Sequence, residues 1–143
     1  FFLQYGYPGE TRADIEKTLD MVRNCRPDEI GVSVSYPLPG TRFHESVKRD
    51  LEEKQNWVDS GDLDMMFQGT YSREYYRILH KVTHKKFRVW QGKELLRGSM
   101  IRPWQINRKV LSKLAKSAFH AVTLPSLEAR LTKLQKVSTA IAA

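Results

Sequence analysis

The chain has 143 residues, of which 41% are hydrophobic, 28% charged and 10% aromatic. This composition is typical of a folded domain with its own apolar core, and it excludes a disordered or collagen-like chain. The single cysteine excludes a disulfide framework and any multi-cysteine metal site made from this chain alone. No stretch approaches the ~20 consecutive apolar residues of a transmembrane segment.

The net charge of +8 lies entirely in the last third of the sequence. Residues 93–143 contain ten basic and two acidic residues, whereas residues 1–92 contain fourteen of each. This asymmetry predicts two kinds of segment with different surroundings.

The first β/α unit is predicted from a strand over Phe1–Tyr5, a turn at Gly6–Gly9 and a following helix. Thr11 is a typical N-cap, with Asp14 in the position of a capping-box acid. The apolar positions of the helix predict one buried face made by Ile15, Leu19, Val22 and Cys25. Cys25 is therefore expected to be a small core residue, and Pro27 ends the helix.

A second β/α unit follows the same order. Alternation over residues 29–36 predicts a strand, residues 37–41 form a Gly/Pro loop, and Thr41 caps a short helix that carries Phe43 and Val47. Strands that alternate with helices indicate a parallel sheet. Two strands are too few for such a sheet, and the chain begins within a strand without Met, so we expect a fragment of a longer parent.

The rest of the chain is predicted to be mainly helical. A long helix runs from Ser72 to about Trp90, with an apolar face at Tyr75, Ile78, Leu79, Val82 and Val89, and Gly92 is its expected C-cap. Residues 93–143 contain one apolar stripe at Val110, Leu111, Leu114 and Phe119. A second stripe follows a break at Pro125, at Leu127, Leu131, Leu134 and Ile141. The resulting division is 1–50 for the β/α units, 51–92 for a connecting segment with the long helix, and 93–143 for a basic helical tail.

The two Gly/Pro loops are the candidate ligand-binding segments. Ligands of parallel α/β folds bind beyond the carboxyl ends of the strands, where both loops begin. Glycine allows close approach of the backbone to a ligand, and the N–H groups at a helix start can bind an anion. The alternative is that each loop is an ordinary turn. Two such loops on consecutive strands are more informative than either alone.

These loops resemble the later half of a radical S-adenosylmethionine (SAM) barrel. The resemblance rests on Gly6-Tyr7-Pro8-Gly9-Glu10-Thr11 paired with Pro37-Leu38-Pro39-Gly40-Thr41 about thirty residues later. It extends to about residue 90 through Trp57 and the segment Tyr71–Arg77, in the manner of the cobalamin-associated branch that includes the anaerobic magnesium-protoporphyrin ester cyclase type. The implied fold is α/β: the C-terminal portion of a partial (β/α)6 barrel followed by a mainly helical tail.

The resemblance implies a SAM cofactor and a [4Fe–4S] cluster in the full-length parent, with cobalamin as a further expectation. Reductive cleavage of SAM would produce a 5′-deoxyadenosyl radical, and this radical would react with a small-molecule substrate in the cytoplasm. The cofactor-binding rim would include Gly6, Pro8, Gly9 and Glu10 in the first loop and Ser35, Tyr36, Pro37 and Leu38 in the second. The three cluster cysteines are absent from this chain, so we expect it to be inactive without the upstream half of the barrel.

Two other features have functional and structural interpretations. His80 and His84 have a spacing that can bind a metal, although a solvated helix face is the simpler explanation. The basic residues Lys81, Lys85, Lys86 and Arg88, together with the tail, suggest a non-catalytic module that binds nucleic acid, an acidic partner or an anionic surface. Trp90 and Trp104 could stack on bases, although helix packing is the simpler explanation, and a solvated surface without a partner is the simpler explanation of the charge.

Overall fold

The computed structural model describes residues 1–51, 63, 65–101 and 106–141. In chain order these contain β1 (Phe2–Tyr5), α1 (Arg12–Cys25), β2 (Gly31–Val34) and α2 (Arg42–Val47), followed by a 3-10 turn at Lys48–Asp50. Two long helices complete the fold, α3 (Arg73–Ile101) and α4 (Arg108–Ile141). Trp57 and Trp104, for which the sequence analysis suggested roles, lie outside the described residues.

The first two β/α units form as the sequence predicts. Strands β1 and β2 pair in parallel, with Tyr5 opposite Val34. The Thr11 side chain accepts a hydrogen bond from the Asp14 backbone and the Asp14 side chain accepts one from Thr11, which completes the capping box of α1. Helix α1 ends at Arg26, whose left-handed conformation (φ 49°) is the C-cap. Thr41 caps α2, as predicted.

Only one face of the β1–β2 pair is covered by helices. Leu3 and Tyr5 point into this face and are 4% and 2% exposed, packed with residues of α1 and α3. On the opposite face Phe2 is 96% exposed and its ring lies against Gly31. Parallel sheets are normally covered on both faces, so this pair has one face that lacks packing among the residues described.

Cys25 is exposed, so the prediction that it lies in the core was wrong. Ile15, Leu19 and Val22 are buried as expected. At 100° per residue, Cys25 lies about 80° around the helix from Ile15 and belongs to the last turn, beyond the contact with the sheet.

The predicted C-cap at Gly92 was also wrong, because α3 continues to Ile101. Gly92 instead lies where α3 and α4 approach each other. A Cβ atom at this position would be 1.9 Å from Ser117 Oγ and 2.4 Å from Ser117 Cβ. The absent side chain permits close helix packing, which a sequence signal alone does not distinguish from a helix end.

Helix α4 passes through Pro125 without the predicted break. A proline in a helix interior removes one hydrogen bond, so contacts with α3 must compensate. Lys85 Nζ donates to Thr123 Oγ1 at 2.6 Å just before the proline. Lys86 pairs with Glu128 at 3.1 Å just after it, and both halves of α4 are thus fixed to one partner helix.

The two predicted stripes of α4 differ in burial. In the first, Val110 and Leu114 are half-buried, but Leu111 and Phe119 are 56% and 64% exposed, and Phe119 meets α3 through the Lys85 ammonium, 5.2 Å from its ring centre. In the second, Leu131 is 1% exposed and joins the same core as Tyr5, while the side chain of Ile141 lies outside the described part. Helix α3 continues without interruption through residues 92–93, where the sequence divides the long helix from the basic helical tail.

Among the described residues, no helix is long and apolar enough to cross a membrane.

Candidate functional site

The two Gly/Pro loops leave the same edge of the sheet from adjacent strands. The backbone N–H of Ser35 donates to the Tyr5 carbonyl oxygen at 2.7 Å, which continues the parallel pairing to the first residue of each loop. The Tyr7 ring then lies 4.8 Å from the Phe43 ring of α2. The structure therefore brings together the two segments that the sequence singled out, at what we call the loop edge: residues 6–11 and 35–41.

The first loop is shaped by positive backbone angles. Gly6 has φ +84° and is buried, and a Cβ atom there would be 3.0 Å from Met65 Cε. Gly9 has φ +82° and open space around it, so Pro8 and Gly9 are presented to solvent. An L side chain would be strained at either glycine. The exposed part of this loop therefore combines the backbone at Gly9 with the side chain of Tyr7, which is 56% exposed.

Glu10 closes the first loop on itself. Its Oε2 accepts a hydrogen bond from the Gly6 N–H at 2.8 Å, and its own N–H donates to the Tyr7 carbonyl oxygen at 2.9 Å. Burial raises the pKa of the Glu10 carboxyl, and the Gly6 hydrogen bond opposes this. Among the described residues the other oxygen, Oε1, has no hydrogen-bond partner, and a half-buried carboxylate of this kind suits a ligand that carries hydroxyl or ammonium groups.

The second loop exposes fewer of its predicted residues. Ser35 is 6% exposed and Pro37 is fully buried, whereas Tyr36 is half-buried. Leu38 is 57% exposed, and its carbonyl oxygen accepts hydrogen bonds from both the N–H and the hydroxyl of Thr41. The tight turn therefore holds one apolar side chain, Leu38, out toward solvent beside the first loop.

A cluster of tyrosines lies beneath the first loop, and the sequence reasoning did not predict it as part of a site. Tyr75 stacks on Tyr71 with ring centroids 4.2 Å apart, and Tyr76 meets Tyr75 edge-on at 5.5 Å. Burial raises the pKa of Tyr76, whose ring also contacts Gly6. The available signal was the concentration of three tyrosines within residues 71–76, where Tyr71 precedes α3 and Tyr75 and Tyr76 lie in its first turn.

Metal ligands are not assembled in the described ranges. No group of three or more His, Cys, Asp or Glu residues there could hold a metal ion. The His80 and His84 rings are 4.5 Å apart, and burial lowers the pKa of His84. Since a [4Fe–4S] cluster requires several thiolates and Cys25 is the one cysteine, the residues of this chain do not fit the cluster.

Comparison with known proteins gives two partial similarities. The chain is 53% identical over 36 residues to the tRNA-2-methylthio-N(6)-dimethylallyladenosine synthase of Chromobacterium violaceum, covering 25% of this chain and 8% of that protein. It is 30% identical over 93 residues to the ribosomal protein uS12 methylthiotransferase RimO of Clostridium kluyveri, covering 62% of this chain and 21% of that protein. No family model matches the chain, and no solved structure matches it significantly.

The chain thus spans about a fifth or less of the length of these relatives. Both are methylthiotransferases, which are radical SAM enzymes with an iron–sulfur cluster. The similarity supports a relationship to radical SAM enzymes at this general level. It gives no support to the magnesium-protoporphyrin ester cyclase branch or to cobalamin.

Proposed function

We propose that this chain is the later part of a radical SAM enzyme and that its loop edge forms part of the SAM-binding rim. The observation that carries the proposal is the departure of both Gly/Pro loops from the same edge of adjacent parallel strands. The partial similarity to two radical SAM enzymes independently supports the relationship to radical SAM enzymes.

The bare face of the sheet supports a barrel origin. Helices α1 and α3 cover the face of Leu3 and Tyr5, while Phe2 is left exposed on the other. In a partial (β/α)6 barrel the helices lie outside and the second face of each strand points to the interior. We therefore propose the upstream half of the barrel as the partner that covers Phe2, with the cluster cysteines on that half.

The residues of this chain would bind and orient SAM. Glu10 would accept hydrogen bonds from hydroxyl or ammonium groups, and Gly9 would let the backbone approach the ligand. Leu38 would pack on an apolar part of the cofactor. When bound, SAM supplies the 5′-deoxyadenosyl group. Because the cluster ligands are absent from this chain, we assign it no step of SAM cleavage and expect no activity from it alone.

The finer assignments remain predictions. They are membership of the cobalamin-associated branch, cobalamin as a cofactor, a small-molecule substrate and a cytoplasmic location. The two relatives instead favour methylthio transfer as the reaction class to examine first.

The rim proposal is tested by Leu38→Ser in the full-length parent, reconstituted with its cluster under anaerobic conditions. Contact with roughly half of a leucine side chain contributes about 1 kcal/mol, which predicts a roughly fivefold higher Kd for SAM. Leu111→Ser is the matched control, since Leu111 is 56% exposed against 57% for Leu38 but lies on α4. The measurements are SAM affinity and formation of 5′-deoxyadenosine.

Two results would overturn the proposal. One is a wild-type parent that carries an intact cluster, judged by its absorbance, but neither binds nor cleaves SAM. The other is a SAM affinity that responds equally to Leu38→Ser and Leu111→Ser.

A further inference from the structure

A second concave surface lies at the opposite edge of the sheet from the loops. It is an open concavity with a volume of about 1880 Å³, lined by residues within 22–29, 87–99 and 107–120. These belong to the end of α1 with the loop that leads into β2, the second half of α3, and the first part of α4. We call this surface the amino-edge groove, since it borders the start of β2.

The amino-edge groove carries a strong positive charge. Seven cationic and three acidic side chains line it, a net charge of +4. The acidic groups are largely occupied, because Glu94 pairs with Arg26 and Arg97, and Glu29 pairs with Arg88. Lys93, Lys113 and Lys116 have no ion-pair partner within the described part of the chain.

The unpaired lysines line the same concavity rather than lying scattered. Lys113, Lys116 and His120 are spaced along one face of α4, and Lys93 lies on the facing helix α3. Burial lowers the pKa of His120, and the nearby positive charges of Lys85 and Arg88 lower it further. The positive potential therefore extends to this end of the groove. Like charges held together in this way oppose folding, and a bound polyanion offsets that repulsion.

We propose that the amino-edge groove binds single-stranded nucleic acid. Trp90 also lines the groove; it is half-buried against the apolar core, and its exposed part is available to stack on a base. A basic channel with an aromatic platform is the usual arrangement for single strands. A concave wall fits a strand better than a flat membrane, and a purely acidic peptide would not use the ring. The inference does not depend on the proposed function, because the groove and the loop edge lie at opposite ends of the strands.

The test is fluorescence anisotropy of the 143-residue chain with labelled single-stranded RNA and DNA of about 12 nucleotides. The double variant Lys113→Gln/Lys116→Gln should lose two phosphate contacts. The slope of the logarithm of the binding constant against the logarithm of the salt concentration should then become shallower by about 1.4, and binding should weaken roughly 25-fold at about 0.1 M salt. Lys133→Gln/Lys136→Gln is the matched control, with the same helix, spacing and charge change, but outside the groove. Its binding should change less than about threefold.

Probe molecules separate the other polyanions. An abasic strand of equal length and polyglutamate should bind at least about fivefold more weakly than RNA or DNA, since base stacking contributes ~1–3 kcal/mol per base. Comparison of the RNA with the DNA strand shows which sugar is preferred. Circular dichroism checks that each variant is folded. The proposal is overturned if neither strand binds at low salt, if both lysine pairs have equal effects, or if the abasic strand, polyglutamate or anionic vesicles bind equally well.

Discussion

The two edges of the β1–β2 pair are built in different ways. The loop edge is shaped by backbone conformation, with Gly6 and Gly9 at positive φ, and it presents few charged groups. The amino-edge groove is shaped by helix packing, and its walls carry cationic side chains from three elements. An edge made by local turns can be predicted from a short motif, whereas an edge made by packed helices depends on contacts between distant residues.

Gly92 offers the largest expected disruption of the amino-edge groove. In Gly92→Ala, the new methyl group would overlap the Ser117 side chain, at 1.9 Å from Oγ and 2.4 Å from Cβ. Overpacking of this kind costs about 1–3 kcal/mol, so the free energy of unfolding in urea should fall by that amount. The separation of α3 and α4 should increase.

Gly98→Ala is the control within the same helix. No atom lies within 4 Å of a Cβ at Gly98, so the variant should gain about 0.5–1 kcal/mol from helix propensity alone. Equal stability changes in the two variants, or a more stable Gly92→Ala protein, would contradict the close helix contact at Gly92.

Gly92 also shows which features could not be predicted from the sequence. The loops, the capping box of Thr11 and Asp14, and the parallel pair were predicted because each depends on residues close together in the chain. Gly92 and Pro125 were interpreted as helix ends because such residues usually have that local meaning. Their actual places follow from packing between α3 and α4, which no local pattern contains.

The candidate sites differ in the same respect. Gly6, Gly9 and Glu10 could be selected from their motif, but the burial of Ser35 and Pro37 could not, since both were expected at the rim. The sequence analysis singled out Arg88 and the basic tail, which supply five of the seven cations of the groove, but not Arg23 and Arg26 at the end of α1. The convergence of these cations on one concavity required the positions of α1, α3 and α4.

A smaller, pH-dependent effect distinguishes the Glu10 carboxyl of the loop edge from the Asp14 carboxyl in the first turn of α1. Because burial raises the pKa of Glu10 above 4.5, the folded state holds this proton more tightly than the unfolded state. Stability from this group therefore falls as pH rises from 4.5 through the raised value. In Glu10→Gln the amide oxygen can still accept the Gly6 hydrogen bond, so stability relative to wild type should improve over that pH range.

For Asp14, in the first turn of α1, the contribution to stability changes with pH in the opposite direction. Hydrogen bonds from Thr11 lower the pKa of Asp14 to about 2, so its contribution is present above its ordinary value of 3.8 and is lost as pH falls toward 2. Thermal unfolding of wild type, Glu10→Gln and Asp14→Asn across pH should show these opposite slopes. Parallel curves for the two variants would contradict the different environments of the carboxyls.

Hydrogen–deuterium exchange of the reconstituted parent, with and without SAM, tests the central claim most directly. If the loop edge is part of the SAM-binding rim, backbone amides of residues 6–11 and 35–41 should exchange more slowly when SAM is bound. Amides at residues 107–120 of the amino-edge groove should be unchanged. Tight SAM binding with no protection in either loop, or with protection confined to the groove, would contradict the assignment of the rim to these loops.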